Sequence, residues 1–103
     1  MKLNSFTPIP ENDEELQLPE LVYCSSLGEI EQVKALLEQG IDPNQTDDEG
    51  YSALQAAAEN GYLEIVQLLI QQGADAHYKS EYTALQLAEM ADQQKIVEYL
   101  MNL

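Results

Sequence analysis

Residues 60–77 read NGYLEIVQLLIQQGADAH, and residues 27–44 read LGEIEQVKALLEQGIDPN. The two align without a gap. Gly28 falls on Gly61 and Gly40 on Gly73, a period of 33 residues. A second pair, YSALQAAAENGYLEIVQLL at 51–69 and YTALQLAEMADQQKIVEYL at 82–100, repeats with a period of 31. There Tyr51, Ala53, Leu54, Gln55, Ala57, Ile65, Val66 and Leu69 all recur, and the connecting turn has lost two residues. Self-similarity at such spacing is the mark of a repeat architecture, in which each unit is one supersecondary structure.

Each unit reads as helix, tight turn, helix. In the middle unit Ser52 is placed to cap a helix, its hydroxyl accepting an otherwise orphaned N–H of the first turn. The alanines that follow favour helix and carry little bulk. Gly61 ends that helix, because glycine enters the left-handed turn without penalty. Leu63, Ile65, Val66, Leu69 and Ile70 then form an amphipathic stripe at helical spacing. Gly73 stops the second helix, and Asp75 opens a loop toward the next unit. One such pair cannot bury its own apolar face, so stability comes from stacking. Small side chains in one row and bulky ones in the other predict a curved stack with the alanine helices inside the bend.

These residues resemble the ankyrin repeat. That family's unit is about 33 residues, a β-turn and two helices, with a T-P-L-H-x-A signature. The chain offers SALQAA at 52–57 and TALQLA at 83–88, and the family's G-A-D-x-N ending appears as GADAH at 73–77 and GIDPN at 40–44. The likeness runs from about Leu18 to Leu103. It implies an all-α ankyrin-repeat solenoid of three helix-turn-helix units with short β-turn or hairpin connections. The expected units are residues 19–46, 47–78 and 79–103, preceded by an acidic, proline-containing tail at 1–18.

Departures from the signature carry expectations of their own. Ala53 and Ala84 stand where the family has proline, forgoing its preset φ. Gln55 and Gln86 replace a histidine that hydrogen-bonds between units; an amide has both donor and acceptor and can substitute. Asp92 holds the register of Gly61, so that turn is expected to be strained or differently shaped. The first unit lacks the signature, with Pro19 at a helix start, and suits an N-terminal cap. KIVEYLMNL at 95–103 suits a C-terminal one.

Totals bound the function. The chain has 103 residues, 45% hydrophobic, which fits one soluble domain. No stretch approaches the roughly 20 apolar residues of a membrane span. MKLNSFTPIPEND lacks the apolar run of a secretory signal, and Cys24 is the single cysteine, so the expected location is the cytoplasm. Nineteen acids face four lysines and no arginine, a net charge of −15. Such a chain repels nucleic acid and anionic membranes, because phosphate affinity comes from Lys and Arg. The acidity either keeps a small protein in solution or steers a basic partner onto it. In the tail, TPIP at 7–10 favours extended chain and ENDEE at 11–15 adds acids. The tail is either disordered or pinned to the first unit by Leu16 and Leu18.

No constellation for chemistry assembles. Cys24 aligns with Ala57, an inward small-residue position, and reads as core filler. His77, the lone histidine, ends a repeat where the family has asparagine and reads as a turn residue. DPNQTDDEG at 42–50 fails as a calcium loop, since the sixth and twelfth positions are Asp47 and Ala53 rather than glycine and glutamate. Paired carboxylates for hydrolysis need one acid in an apolar pocket, which DDEG in a turn does not provide. No catalytic residue, metal site or cofactor is therefore expected.

Surface recognition remains. The resemblance implies that partners are gripped by turn tips and the exposed side of the first helices. Carried over position by position, that face is Asp48, Glu49, Tyr51, Glu59 and Asn60 in the second unit. The third adds Lys79, Glu81, Tyr82, Glu89 and Met90. Tyr51 and Tyr82 are either aromatic anchors one repeat apart or packing residues across the turn. Asp47 is expected to order its turn by local hydrogen bonds. The function expected is non-enzymatic protein binding by a monomer, as an inhibitor or immunity-type factor for a basic partner such as a nuclease. The alternative is a small adaptor or regulatory subunit whose acidity serves solubility alone.

Overall fold

A computed structural model describes residues 19–103; the expectations for the tail, Leu16 and Leu18 among them, lie outside the described residues. Six helices follow one another: α1 (Glu20–Leu27), α2 (Ile30–Glu38), α3 (Ala53–Asn60), α4 (Leu63–Gln71), α5 (Ala84–Met90) and α6 (Gln94–Met101). They form three helix-turn-helix units. α1, α3 and α5 make an inner row, α2, α4 and α6 an outer one, and inner helices approach each other more closely than outer ones do. That is the condition for the curvature expected of an alanine row. Antiparallel bridges Thr46–Ser52 and Lys79–Thr83 supply the short hairpin connections.

The helix starts repeat a two-way cap. Ser52 Oγ accepts the Gln55 N–H at 3.1 Å, and Gln55 Oε1 accepts the Ser52 N–H at 2.9 Å. Thr83 and Gln86 do the same at 3.1 and 2.9 Å. Both ends of an S/T-x-x-Q pattern are thus used, and two orphan donors per helix are satisfied. Sequence reading had assigned the Ser52 half alone. α1 begins at Pro19, which offers no side-chain cap; Gln45 of the following loop reaches back, its Oε1 accepting the Leu21 N–H at 3.1 Å.

The inner helices end in left-handed residues. Gly28 has φ 80° and Gly61 φ 89°, and each is roofed by the next unit. A β-carbon on Gly28 would stand 2.6 Å from the Tyr62 ring, and one on Gly61 2.8 Å from the Gln93 amide. At Gly28 glycine is favoured twice over, by φ and by the ring above it; at Gly61 φ decides, because the end of the Gln93 side chain can shift. In the third unit Asp92 takes φ 60° itself. The turn keeps the shape of its counterparts, in a residue type that visits this region more readily than most, and Asp92 Oδ1 accepts from Gln94 Nε2 at 2.6 Å.

Leu21, Val33, Ile65, Val66 and Leu69 pack against Ala53, Ala56, Ala57, Ala58 and Ala88 in one continuous core. Cys24 is buried within it. The Ser25 hydroxyl, at the register of Ala58, is buried and has no hydrogen-bond partner among the described residues.

Polar links tie unit to unit. Gln55, 1% exposed, donates its amide to the Tyr82 carbonyl at 2.6 Å and to Ser80 Oγ at 3.2 Å. The substitution expected for histidine is made there. Gln86 is exposed, and among the described residues its side chain bonds only within its own cap. Asn44 makes a second link: Oδ1 accepts the Asp75 N–H at 2.7 Å, and Nδ2 donates to the Gly73 carbonyl at 3.3 Å. His77, in Asn44's register, donates its backbone N–H to Asp75 Oδ1 at 2.9 Å and leaves its side chain exposed.

Candidate protein-docking face

The second unit's turn is organised by Asp47, as expected. Its Oδ1 accepts the N–H groups of Glu49 and Tyr51, both at 2.9 Å, and its carbonyl accepts the Gly50 N–H at 3.0 Å. The Tyr78 hydroxyl, from the far end of the same unit, donates to the Gly50 carbonyl at 2.6 Å. A turn braced at both ends projects Asp48 and Glu49 into solvent, and both are exposed.

Beside that tip, Tyr51 is half-buried against the core and donates its hydroxyl to Glu59 Oε1 at 2.5 Å. Burial first, then the bond to Glu59 and the charges of Glu59 and Asp47, push the phenol well above its ordinary value. Asn60 turns inward to its own helix, Nδ2 donating to the Ala56 carbonyl at 2.8 Å. Of the two roles expected for Tyr51, packing is present, and Glu59 and Asn60, expected only as docking positions, each carry a structural bond as well. The signal available was the eight-residue step from Tyr51 to Glu59, just over two helical turns.

In the third unit Lys79, Glu81 and Glu89 are exposed. Tyr82 is 38% exposed and Met90 64%. Met90 occupies the register of Glu59 and offers a thioether, a weak acceptor at best. Among the described residues the Tyr82 hydroxyl makes no hydrogen bond like that of Tyr51 to Glu59, and Tyr82 and Met90 each leave apolar surface exposed.

The structure also brings together residues the sequence reading passed over. Between α1 and the second unit's turn lies a cavity of about 450 Å³ lined by Pro19, Glu20, Val22, Tyr23, Asp47 and Tyr51. Tyr23 is 64% exposed although it shares the register of fully buried Ala56. That mismatch, an aromatic in a row of alanines, was legible as a departure from the repeat.

No group of three His, Cys, Asp or Glu side chains among the described residues is placed to hold a metal ion. Burial, followed by the charges of Glu29 and Glu20, pushes the Cys24 thiol upward, away from the thiolate that nucleophilic chemistry needs. No helix among the described residues is long and apolar enough to cross a membrane.

Comparison with known proteins agrees with this geometry. The chain is 33% identical over 99 residues to ankyrin repeat and SAM domain-containing protein 6 of Mus musculus, covering 90% of this chain and 11% of that protein. It is 36% identical over 62 residues to ankyrin repeat domain-containing protein 39 of Homo sapiens, covering 59% of this chain and 34% of that one. An L-asparaginase of Dirofilaria immitis is 39% identical over 62 residues, 60% of this chain and 10% of the enzyme. The chain thus spans about a tenth of the mouse relative's length. The family described as ankyrin repeats, in three copies, matches residues 21–103. The chain belongs to the ankyrin-repeat family, a class of protein–protein interaction modules.

Proposed function

We propose that the face made by the turn tips and inner helices docks a basic protein, and that the chain acts as a non-enzymatic inhibitor or immunity-type factor in the cytoplasm. One observation carries this reading: the face's charge is uncompensated. Among the described residues, Glu20, Asp48, Glu49, Glu59, Glu81 and Glu89 share it with a single cation, Lys79. The one salt bridge among the described residues, Lys34 to Glu31 at 3.9 Å, lies on the outer row. Uncompensated charge of one sign focuses potential and accelerates encounter with the opposite sign. Around the acids, Tyr51, Tyr82 and Met90 supply the apolar contact that charge alone does not.

The exposed apolar surface of Tyr82 and Met90 favours a second reading, an adaptor whose contacts are apolar and whose acidity serves solubility. Salt separates the two. Retention of a partner on the immobilised chain should fall steeply as ionic strength rises, because exposed charges are screened within about 8 Å at physiological salt. Capture that is unchanged in high salt, or capture of an acidic protein, contradicts the docking of a basic one.

A further inference from the structure

We infer that the cavity between Tyr23 and Tyr51 receives an arginine side chain of the partner; this rests on the docking function proposed above and names the group it recognises. The argument begins with the walls. Tyr23 and Tyr51 present aromatic surface on an opening of about 450 Å³, and Pro19 and Val22 give it an aliphatic side. Glu20 and Asp47 line the same space, and Glu59 stands at the Tyr51 hydroxyl. Asp47 already spends one carboxylate oxygen on the turn, while among the described residues the carboxylate of Glu20 has no hydrogen bond and no cationic neighbour.

An occupant must therefore combine positive charge, a flat face and an apolar stem. Arginine has all three: the guanidinium stacks on aromatic rings and forks onto carboxylates, and its methylenes lie along apolar walls. Lysine brings a compact, strongly hydrated charge without the flat face. Tyr23 has no role in the core, being 64% exposed at a position where the second unit buries alanine. The Tyr51 ring, by contrast, is held in place through its hydroxyl by Glu59, so one wall is fixed before the guest arrives.

The test uses the full chain, labelled with ¹⁵N, titrated with the peptides acetyl-Gly-Arg-Gly-amide and acetyl-Gly-Lys-Gly-amide. The arginine peptide should shift the Glu20, Tyr23 and Tyr51 resonances and bind more tightly than the lysine peptide. Tyr23→Ala should weaken it roughly tenfold, the scale of a desolvated cation–π contact, whereas Tyr23→Phe should keep most of the affinity. Equal binding of both peptides, or unchanged affinity in Tyr23→Ala, would overturn the assignment. So would an affinity that rises in Leu16→Ser/Leu18→Ser, which would give the cavity to the chain's own N-terminal segment. A chain that takes the arginine peptide at Tyr23 yet docks no basic protein upholds the cavity and removes only the wider function.

Discussion

Gln55 and Gln86 are the same residue at the same register, and each closes the same helix cap. One is buried and holds the next unit through Tyr82 and Ser80; the other is exposed and holds only its own helix. The middle and third units show that a repeat residue has two jobs, local and between units. Local work is written in the sequence around it. Work between units depends on what is stacked alongside, so equal residues differ in worth.

The sharpest way to break that comparison is to truncate both. Gln55→Ala removes the glutamine half of the cap and the inter-unit bonds, and leaves the Tyr82 carbonyl only the long 3.4 Å bond from the Ser80 N–H. It should cost about 2 kcal/mol by urea denaturation, the sum of half a cap and a lost hydrogen bond from a buried amide. Gln86→Ala loses the glutamine half of its cap alone and should cost about 0.5 kcal/mol. Equal costs would mean that the bond between units contributes nothing.

The glycines sharpen the same point. Gly28 has φ 80° with the Tyr62 ring above it, whereas Gly40 has φ 95°, and among the described residues a β-carbon added there would meet nothing within 4 Å beyond its chain neighbours. Gly28→Ala should cost about 2 kcal/mol, through backbone strain plus displacement of Tyr62, against about 1 kcal/mol of strain for Gly40→Ala. Matching melting shifts for the two variants would show that Tyr62 is no roof.

The smallest effect belongs to Tyr51. Its pKa is raised in the folded state, so the phenol's protonated form stabilises the fold at neutral pH. That contribution is complete below the ordinary tyrosine value of about 10 and is lost as pH rises through the raised one. Tyr51→Phe should flatten this alkaline loss of stability in thermal melts between pH 9 and 11. An unchanged slope would remove Glu59 and burial as the cause.

Most of the fold was legible because it rests on local chemistry. Ser52, Gly61 and the stripe from Leu63 to Ile70 speak for themselves, and repetition multiplied each signal. Asp47 was legible for the same reason: its bonds to Glu49 and Tyr51 stay within five residues. The site was harder to read where it depends on neighbours. Whether Tyr51 is free or tied depends on Glu59 coming round on the helix, and whether Tyr23 is buried depends on what lies beside α1. Ten positions were named for docking, yet the cavity uses Tyr51 alone from among them. The first unit was set aside as a cap, so its aromatic residue escaped notice.

The docking claim is tested most directly by two variants of equal charge. One neutralises the inner face, with Asp48→Asn, Glu49→Gln and Glu59→Gln. The other neutralises the outer helices, with Glu38→Gln, Glu64→Gln and Glu98→Gln. The measurement is the association rate of the basic protein that the wild-type chain retains, at fixed ionic strength. The inner-face variant should associate about tenfold or more slowly, in keeping with electrostatic steering, and the outer-face variant at nearly the wild-type rate. Equal slowing by both would mean that net charge alone attracts the partner, and would contradict a docking face on the inner row.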